Sequence, residues 1–124
     1  MRKVTGVSLA AALLVGSVIA VVAIASPGMD AVKVAPQAFT EKLNNDKVRV
    51  LEYRSKPGDK EAMHSHAGAV LIVVKRGKLR STTPDGKSKD IEYKAGDVMW
   101  RDAIAHTNEN IGTTEMVGYL IEVK

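Results

Sequence analysis

Residues 58–77 decide the fold, and they read GDKEAMHSHAGAVLIVVKRG. The stretch has a glycine at each end, a His-x-His pair at His64 and His66, and an apolar run from Ala69 to Val74. Alternate residues of a strand face the same side, so the two histidines are predicted to stand side by side. The apolar run has the length of a strand buried on both faces. Two successive strands, the first carrying two imidazoles on one face, are therefore predicted here.

Short strand-like segments alternate with turn residues about every ten positions on both sides of this stretch. The predicted strands are 48–55, 61–66, 69–74, 79–83, 88–94, 98–100, 105–110 and 115–123. One turn, Thr83-Pro84-Asp85-Gly86, has a proline that fixes φ and a glycine that allows left-handed backbone. No sustained helical period follows residue 26, although a short helix over 37–43 is an alternative for that segment. The pattern predicts an all-β barrel or jelly roll, which limits exposed strand edges.

The third histidine of the chain, His106, lies on a predicted strand two hairpins after the pair. Neutral imidazole is a common ligand of divalent first-row metals. Three imidazoles brought together would leave coordination positions open for water or substrate. Ordinary surface histidines are the alternative explanation of an isolated His-x-His pair.

The spacing of these residues resembles the two sequence motifs of the cupin family. Gly58, five residues, the His64–His66 pair and Gly77 follow the first motif. Gly96, His106, three residues and then Asn110 follow the second motif. The resemblance extends over residues 48–123 and implies a jelly-roll barrel of the double-stranded β-helix type.

The resemblance also implies a metal site, with one departure from the family pattern. His64, His66 and His106 fall on the family's ligand positions. The first motif normally adds a glutamate three or four residues after the pair, and its spacing to Gly77 puts Val70 there. A valine binds no metal, so the implied site has three histidines. The implied cofactor is a divalent transition metal, Fe(II) first, with Mn, Ni, Cu or Zn as alternatives.

Three residues are predicted to line the substrate position of such a site. Val70 would supply an apolar wall, and Asn108 shares strand parity with His106. Trp100 would stack on a ligand, with packing at the rim of the barrel as its alternative role. Asn110 is expected to close a turn with Gly112 rather than to line the pocket.

Charged residues near the motifs are interpreted by the same parity argument. Glu61 has the opposite parity to His64, so it is predicted to point outward. Arg101 and Asp102 stand at the predicted mouth of the barrel, where they either select an anionic ligand or form a solvated pair.

The N-terminus differs in composition from the rest of the chain. After Arg2 and Lys3 no charged residue occurs until Asp30, and the apolar block over 7–25 ends in Ala-Ile-Ala. This pattern is typical of a secretory signal peptide cleaved after residue 25. An uncleaved membrane anchor is the alternative, because the block is longer than most signal cores. The expected organisation is a leader over 1–25, an N-terminal arm over 26–46 and a barrel over 47–124, in an exported (periplasmic or secreted) protein.

Composition excludes several classes of function. The 124-residue chain has no cysteine, which rules out disulfides and cysteine-ligated metal clusters. Aromatic residues make up only 4%, too few for a base-stacking platform. The net charge falls from +4 to +2 once the leader's two cations are removed, so no nucleic-acid partner is expected.

Three functions stay open at this point, and all three fit the fold. The first is a metal-dependent enzyme that oxygenates or isomerises a small molecule. The second is a metal- or ligand-binding module without turnover, and the third is a metal-free barrel with residual histidines. A homodimer is expected, because so small a barrel buries a modest share of its surface. The apolar arm over 30–43 is predicted to pair with the sheet edge of the second copy.

Overall fold

The computed structural model describes residues 29–124, which form two antiparallel sheets preceded by one short helix. The elements are α1 Ala31–Val34, β1 Phe39–Asn44, β2 Val48–Ser55, β3 Lys60–His66, β4 Ala69–Lys75, β5 Gly77–Thr82, β6 Ser88–Tyr93, β7 Val98–Arg101, β8 Ile104–Asn110 and β9 Met116–Val123. Each of the eight predicted strands corresponds to one observed strand, with ends that differ by no more than two residues. The all-β prediction is confirmed.

The segment before β2 differs from its prediction. Its helix is α1, not 37–43, and Asp30 caps it by accepting hydrogen bonds from the backbone N–H of Val32 and Lys33 at 3.1 and 3.2 Å. Residues 39–44 form β1, which pairs with β2 of the same chain. Phe39 at the start of β1 is buried in the core. From residue 29 onward the arm is therefore part of the barrel, and β1 pairs with β2 along one edge while its other edge is the edge of the five-stranded sheet.

The two sheets face each other around the core. The five-stranded sheet has the order β1-β2-β9-β4-β7 and the four-stranded sheet has the order β3-β8-β5-β6. The apolar core comes mainly from the five-stranded sheet, with Leu51, Leu71, Val73, Met116 and Leu120 buried. Strand β4 was expected to be buried on both faces, but only its inner residues are fully buried. Its outer residues are partly or largely exposed, because no other layer of the described chain covers that face.

The motif glycines occupy positions that a side chain would disturb. Gly58 and Gly96 lie in turns with φ of 85° and 89°, in the left-handed region that favours glycine. Gly77 has no special φ, but a Cβ there would lie 2.5 Å from the Cβ of Met116. Gly58 and Gly96 thus allow turns, and Gly77 allows β5 and β9 to approach each other closely.

No helix within residues 29–124 is long and apolar enough to span a bilayer. The predicted leader over 1–25 and its cleavage site lie outside the described residues.

Candidate metal centre

Neighbouring strands β3 and β8 bring the three histidines together. His64 stands directly opposite His106 in the register of this pair, and His66 lies two residues further along β3. The ring centroids are 4.8 Å apart for His64–His66, 4.8 Å for His64–His106 and 5.6 Å for His66–His106. All three side chains are buried, with at most 4% exposure. One ligand nitrogen from each ring lies within 4.8 Å of the other two.

Each imidazole uses its Nδ1 atom in a hydrogen bond to its own oxygen partner. Nδ1 of His64 lies 2.7 Å from the carbonyl oxygen of Ala62. Nδ1 of His66 lies 3.2 Å from Oε1 of Glu122, and Nδ1 of His106 lies 2.8 Å from Oγ of Ser81. The carbonyl of Ala62 and the carboxylate of Glu122 are acceptors, which places the proton of His64 and His66 on Nδ1 and leaves Nε2 with a free lone pair, and the hydroxyl of Ser81 can accept from His106 in the same way.

The free nitrogens are the ones a metal needs. Nε2 of His64 is buried and has no hydrogen-bond partner among residues 29–124. Nε2 of His106 has only a long contact, 3.5 Å, with the amide nitrogen of Asn108. A buried nitrogen without a partner is costly, and a bound ion would remove that cost. Histidines that bind metals usually have a hydrogen-bond partner of this kind at Nδ1, which orients the ring.

The buried environment keeps the imidazoles of His64 and His106 neutral. Burial lowers the pKa of His64 to about 4. Burial also lowers the pKa of His106, to about 2, and the neighbouring histidines and the charge of Arg101 add to that shift. Metal ligation requires the neutral form, so both rings are ready to bind near neutral pH.

The donor set fits a borderline transition metal. Three neutral nitrogens without a carboxylate suit Zn, Fe, Ni or Cu better than Mg or Ca, which prefer oxygen. Nitrogens bonded to one tetrahedral metal at about 2.1 Å stand roughly 3.4 Å apart. The separations here extend to 4.8 Å, so a small rotation of the rings would close the site.

A narrow cavity opens beside the histidines, between the two sheets. Most of its lining is apolar and includes Leu71, Leu79, Met116 and Leu120. The polar part of its lining consists of Tyr53, His66, Arg101, Asp102, His106 and Asn108. The cavity therefore has an apolar wall and a polar end that includes His66 and His106.

Of the three residues predicted to line the substrate position, only one lines the cavity. Asn108 lines the cavity. Val70 does not, because Ala69 and Leu71 on either side of it point inward and Val70 points to the outer face. Trp100 stands opposite Val70 in the register of β4 and β7 and is 56% exposed. The predictions that Val70 and Trp100 line the pocket are therefore corrected.

The turn between β3 and β4 explains the error at Val70. The family motif allows three or four residues between the His-x-His pair and its glutamate. The shorter spacing selects Val70 and the longer one selects Leu71, which is buried and lines the cavity. Of these two positions only Leu71 faces the cavity, and neither of them carries a glutamate.

Glu61 also contradicts its prediction. The register of β3 against β8 shifts between Glu61 and His64, which marks a β-bulge. The extra residue reverses the parity, so Glu61 shares the inner face with His64 and is 1% exposed. Oη of Tyr53 donates a hydrogen bond to Oε1 of Glu61 at 3.2 Å. Burial raises the pKa of this carboxyl group to about 7.

Two residues that hold the histidines were not predicted from the sequence. Ser81 on β5 stands opposite Asn108 of β8, and Glu122 on β9 stands opposite Ala69 of β4. Both are polar residues at inward positions of strands whose neighbours are apolar, which is the signal that could have found them. Asn110 was predicted correctly, since the backbone N–H of Gly112 donates to its Oδ1 at 2.9 Å.

Two facing antiparallel sheets with histidines on their inner surface define the double-stranded β-helix class of proteins. Residues 51–122 match the family model of the cupin domain. A solved cupin domain from Bordetella pertussis Tohama I is 31% identical, covering 69% of this chain and 91% of that chain, with a TM-score of 0.63. No curated protein matches. This chain therefore belongs to the cupin family.

More distant solved structures share the fold. An RmlC-like cupin family protein from Methanocaldococcus jannaschii is 17% identical, covering 68% of this chain and 77% of that chain, with a TM-score of 0.55. A cupin-like protein from Thermotoga maritima is 23% identical, covering 68% of this chain and 65% of that chain, with a TM-score of 0.51. At these identities the likeness concerns the barrel and not the chemistry within it.

Proposed function

We propose that this protein is an exported cupin that binds one divalent transition metal through Nε2 of His64, His66 and His106 and acts on a small molecule. The observation that carries the proposal is the arrangement of the three rings. Each Nδ1 has an oxygen partner of its own, while the Nε2 atoms are left for a common ligand. Fe(II) is the first candidate, and Mn, Ni, Cu or Zn are the others.

The remaining residues define what the site can do with such a metal. When bound, the metal would supply Lewis-acid or oxygen-activating chemistry at its open positions. The apolar wall around Leu71 and Leu120 excludes water from one side of the bound molecule. Asn108 lines the cavity beside His106 and offers an amide to a polar group of the ligand. These features favour oxygenation or isomerisation of a small substrate.

Metal analysis of the purified protein tests the first part of the proposal. The wild type is expected to take up one equivalent of Fe(II), Ni(II) or Zn(II) at neutral pH. His106→Asn keeps a polar group near Ser81 but removes Nε2, so it should lose binding as fully as His106→Ala. His106→Gln places an amide near the position of Nε2 and should retain weak binding. Wild-type protein that takes up no metal, or a His106→Asn variant that binds as tightly as wild type, contradicts the site.

Turnover requires a separate measurement. Oxygen uptake by the Fe(II)-loaded protein should be screened against small organic molecules, with the His106→Asn variant as the inactive control. Saturable binding of a molecule without oxygen uptake or isomerisation would favour the alternative function, a non-catalytic binding module.

Export follows from the leader and is part of the proposal. The uncharged apolar block over 7–25 and its Ala-Ile-Ala end support cleavage after residue 25. Cleavage there would leave three residues before Met29, the first described residue, whose carbonyl oxygen accepts a hydrogen bond from Ser65 Oγ at 3.3 Å. Mass spectrometry of the native protein tests this. An intact N-terminus in the membrane fraction would support the anchor instead.

We propose the outer face of the five-stranded sheet as a surface for the homodimer, in addition to the outer edge of β1 in the arm. Two rows of side chains cross this face in register. The rows are Trp100, Val70, Ile121 and Val50, and then Val98, Ile72 and Tyr119. An apolar face of this extent is typical of an interface, and a second copy presents the same face to it. Light scattering at micromolar concentration should give twice the chain mass, and a monomer would count against the dimer.

A further inference from the structure

Arg101 is a cation in the wall of the cavity that forms no ion pair within residues 29–124. It is the last residue of β7, and it lines the cavity with His106 and Asn108. Nη1 of Arg101 donates a hydrogen bond to Oη of Tyr93 at 3.1 Å. No carboxylate oxygen of residues 29–124 lies within 4.0 Å of its guanidinium nitrogens. A phenol accepts the hydrogen bond but leaves the positive charge without a counterion.

The other arginines of the barrel either form ion pairs or have exposed side chains. Three of them form ion pairs outside the cavity: Arg49 with Asp30 and Glu41, Arg54 with Glu52 and Glu115, and Arg80 with Asp90. Arg76 has no ion pair either, but its side chain is exposed and does not reach this cavity. Arg101 is half-buried, so its charge is desolvated in part without the compensation that the three paired arginines receive.

The carboxylate next in sequence is held away from Arg101. Oδ1 of Asp102 accepts a hydrogen bond from Nε1 of Trp100 at 2.9 Å. The Trp100 ring in turn lies against Gly68, where an added Cβ would come within 2.7 Å of it. Glycine at this turn between β3 and β4 therefore leaves room for the indole, and the indole engages Asp102. The sequence had left a solvated Arg101–Asp102 pair open, and the structure shows no such pair.

The guanidinium is held in place for a ligand. Tyr93 is 3% exposed and sits in the core, so the hydroxyl that receives Arg101 is rigidly placed. A guanidinium has five N–H donors, and the contact with Tyr93 uses one of them. Arg101 lines the same cavity as His66 and His106. The cation and two of the histidines thus belong to one site.

We propose that Arg101 binds the anionic group of the molecule that occupies this cavity, and that this molecule is a small carboxylic acid. The inference rests on the proposed metal site, toward which the other end of the acid would reach. One planar guanidinium matches one carboxylate, whereas a phosphate usually gathers several donors. The narrow apolar lining suits a short carbon chain between the two ends.

Binding of matched acid and amide pairs tests the proposal. The Zn(II)-loaded protein would be titrated by calorimetry with pyruvate and lactate, and with pyruvamide and lactamide as their neutral counterparts. The wild type is expected to prefer each acid over its amide by about tenfold or more, since hydrogen bonds to charged groups are the strong ones. Arg101→Gln should remove most of that preference, and Arg101→Lys should retain part of it. Arg76→Gln makes the same change of charge outside the cavity and should behave as wild type.

The outcomes separate this inference from the proposed function. Zinc-loaded wild type that binds acids and amides equally, or an Arg101→Gln variant that keeps the preference, overturns the role of Arg101 while the metal site stands. Loss of the preference for acids over amides in Arg76→Gln would also overturn the role of Arg101, because a general effect of charge would then explain the preference. Failure of the metal to bind contradicts the proposed function first. In that case Arg101-dependent binding of acids to the metal-free protein would still support the anion site.

Discussion

The two sheets of the barrel distribute polarity in opposite ways. The four-stranded sheet turns polar side chains inward, and they are His64, His66, His106, Ser81, Asn108 and Glu61. Its outer face carries charges such as the Arg80–Asp90 ion pair. The five-stranded sheet is mainly apolar inside, and its outer face is apolar over β7 and β4, where Val98 is 65% exposed, but carries the Glu52–Arg54 ion pair on β2.

This difference assigns separate tasks to the sheets. Inward polar residues contribute little to hydrophobic burial, so the stability of the barrel depends mainly on the five-stranded sheet. Three inward polar residues of the five-stranded sheet are informative exceptions, because Tyr53, Glu122 and Arg101 each lie at the cavity or contact a histidine or Glu61. The ligands come from one sheet, while the other supplies packing, one histidine partner and the cation.

Changing Leu71 should test the division between inner and outer faces most severely. Leu71→Glu buries a carboxylate in the apolar wall, which should lower the free energy of unfolding by about 3–5 kcal/mol without metal. Val70→Glu places the same group on the outer face and should cost no more than about 1.5 kcal/mol. Urea denaturation with and without Zn(II) measures both effects.

Metal should distinguish these two variants further. The carboxylate of Leu71→Glu lies on the cavity side, so added Zn(II) should restore much of the lost stability by gaining a fourth ligand. Val70→Glu should gain no more from Zn(II) than wild type gains. Tighter binding by Val70→Glu than by Leu71→Glu would show that the orientation of β4 has been misassigned.

The histidine triad could be predicted because its geometry is local. Two of the ligands are alternate residues of one strand, and no irregularity lies between His64 and His66. The third follows from the second motif. Glu61 was mispredicted because the bulge lies between it and His64, and an extra residue in a strand leaves no clear trace in the sequence.

Partners from distant strands were harder to foresee. Glu122 contacts His66 across 56 residues of sequence, and Ser81 contacts His106 across 25. Parity shows that such residues face inward, but which histidine they reach depends on strand order. Strand order arises from the packing of whole sheets and not from local spacing, so it did not follow from the chain alone.

Changing the hydrogen-bond partners of the histidine Nδ1 atoms should have a smaller effect than changing Leu71. Ser81→Ala and Glu122→Gln each weaken the support of one Nδ1 atom, so metal affinity should fall about 10- to 100-fold. Ser88→Ala removes a hydroxyl from an exposed position of the same four-stranded sheet and is the matched control. Competition titrations with a chromophoric chelator measure all three. Equal affinities for Ser81→Ala and Ser88→Ala would show that Ser81 does not orient His106.

The pH dependence of the metal-free protein should show opposite contributions from the inner polar face. The folded pKa values of His64 and His106 lie below their usual 6.5, so the unfolded state takes up protons first as the pH falls. Each of these two histidines should then lower the free energy of unfolding by about 1.4 kcal/mol for every unit that the pH falls between about 6.5 and 4.5. Glu61 has a folded pKa of about 7, above its usual 4.5, so the folded state takes up this proton first as the pH falls. Glu61 therefore raises the free energy of unfolding over the same pH range and offsets the loss caused by one histidine.

A Glu61→Gln variant isolates that offset. Without Glu61 the loss of stability should steepen from about 1.4 to about 2.7 kcal/mol per pH unit over the same window. Glu92→Gln, at an exposed position of the same four-stranded sheet, is the control and should keep the wild-type slope. Urea denaturation at pH 4.5, 5.5 and 6.5 in the presence of a chelator measures the slopes. An unchanged slope in Glu61→Gln would mean that this carboxyl group titrates normally in the folded protein.

The outer faces should give the smallest effects, and they separate association from binding. Trp100→Ser removes the largest exposed apolar side chain of the five-stranded sheet, so the dimer dissociation constant should rise about tenfold. Arg80→Ser removes one member of an exposed ion pair from the other sheet, which should change the free energy of unfolding little and leave association unchanged. Neither variant should alter metal affinity, because both residues lie outside the cavity. Sedimentation equilibrium measures association. Weaker association in Arg80→Ser but not in Trp100→Ser would place the interface on the charged face, and the contrast between the two outer surfaces would then be reversed.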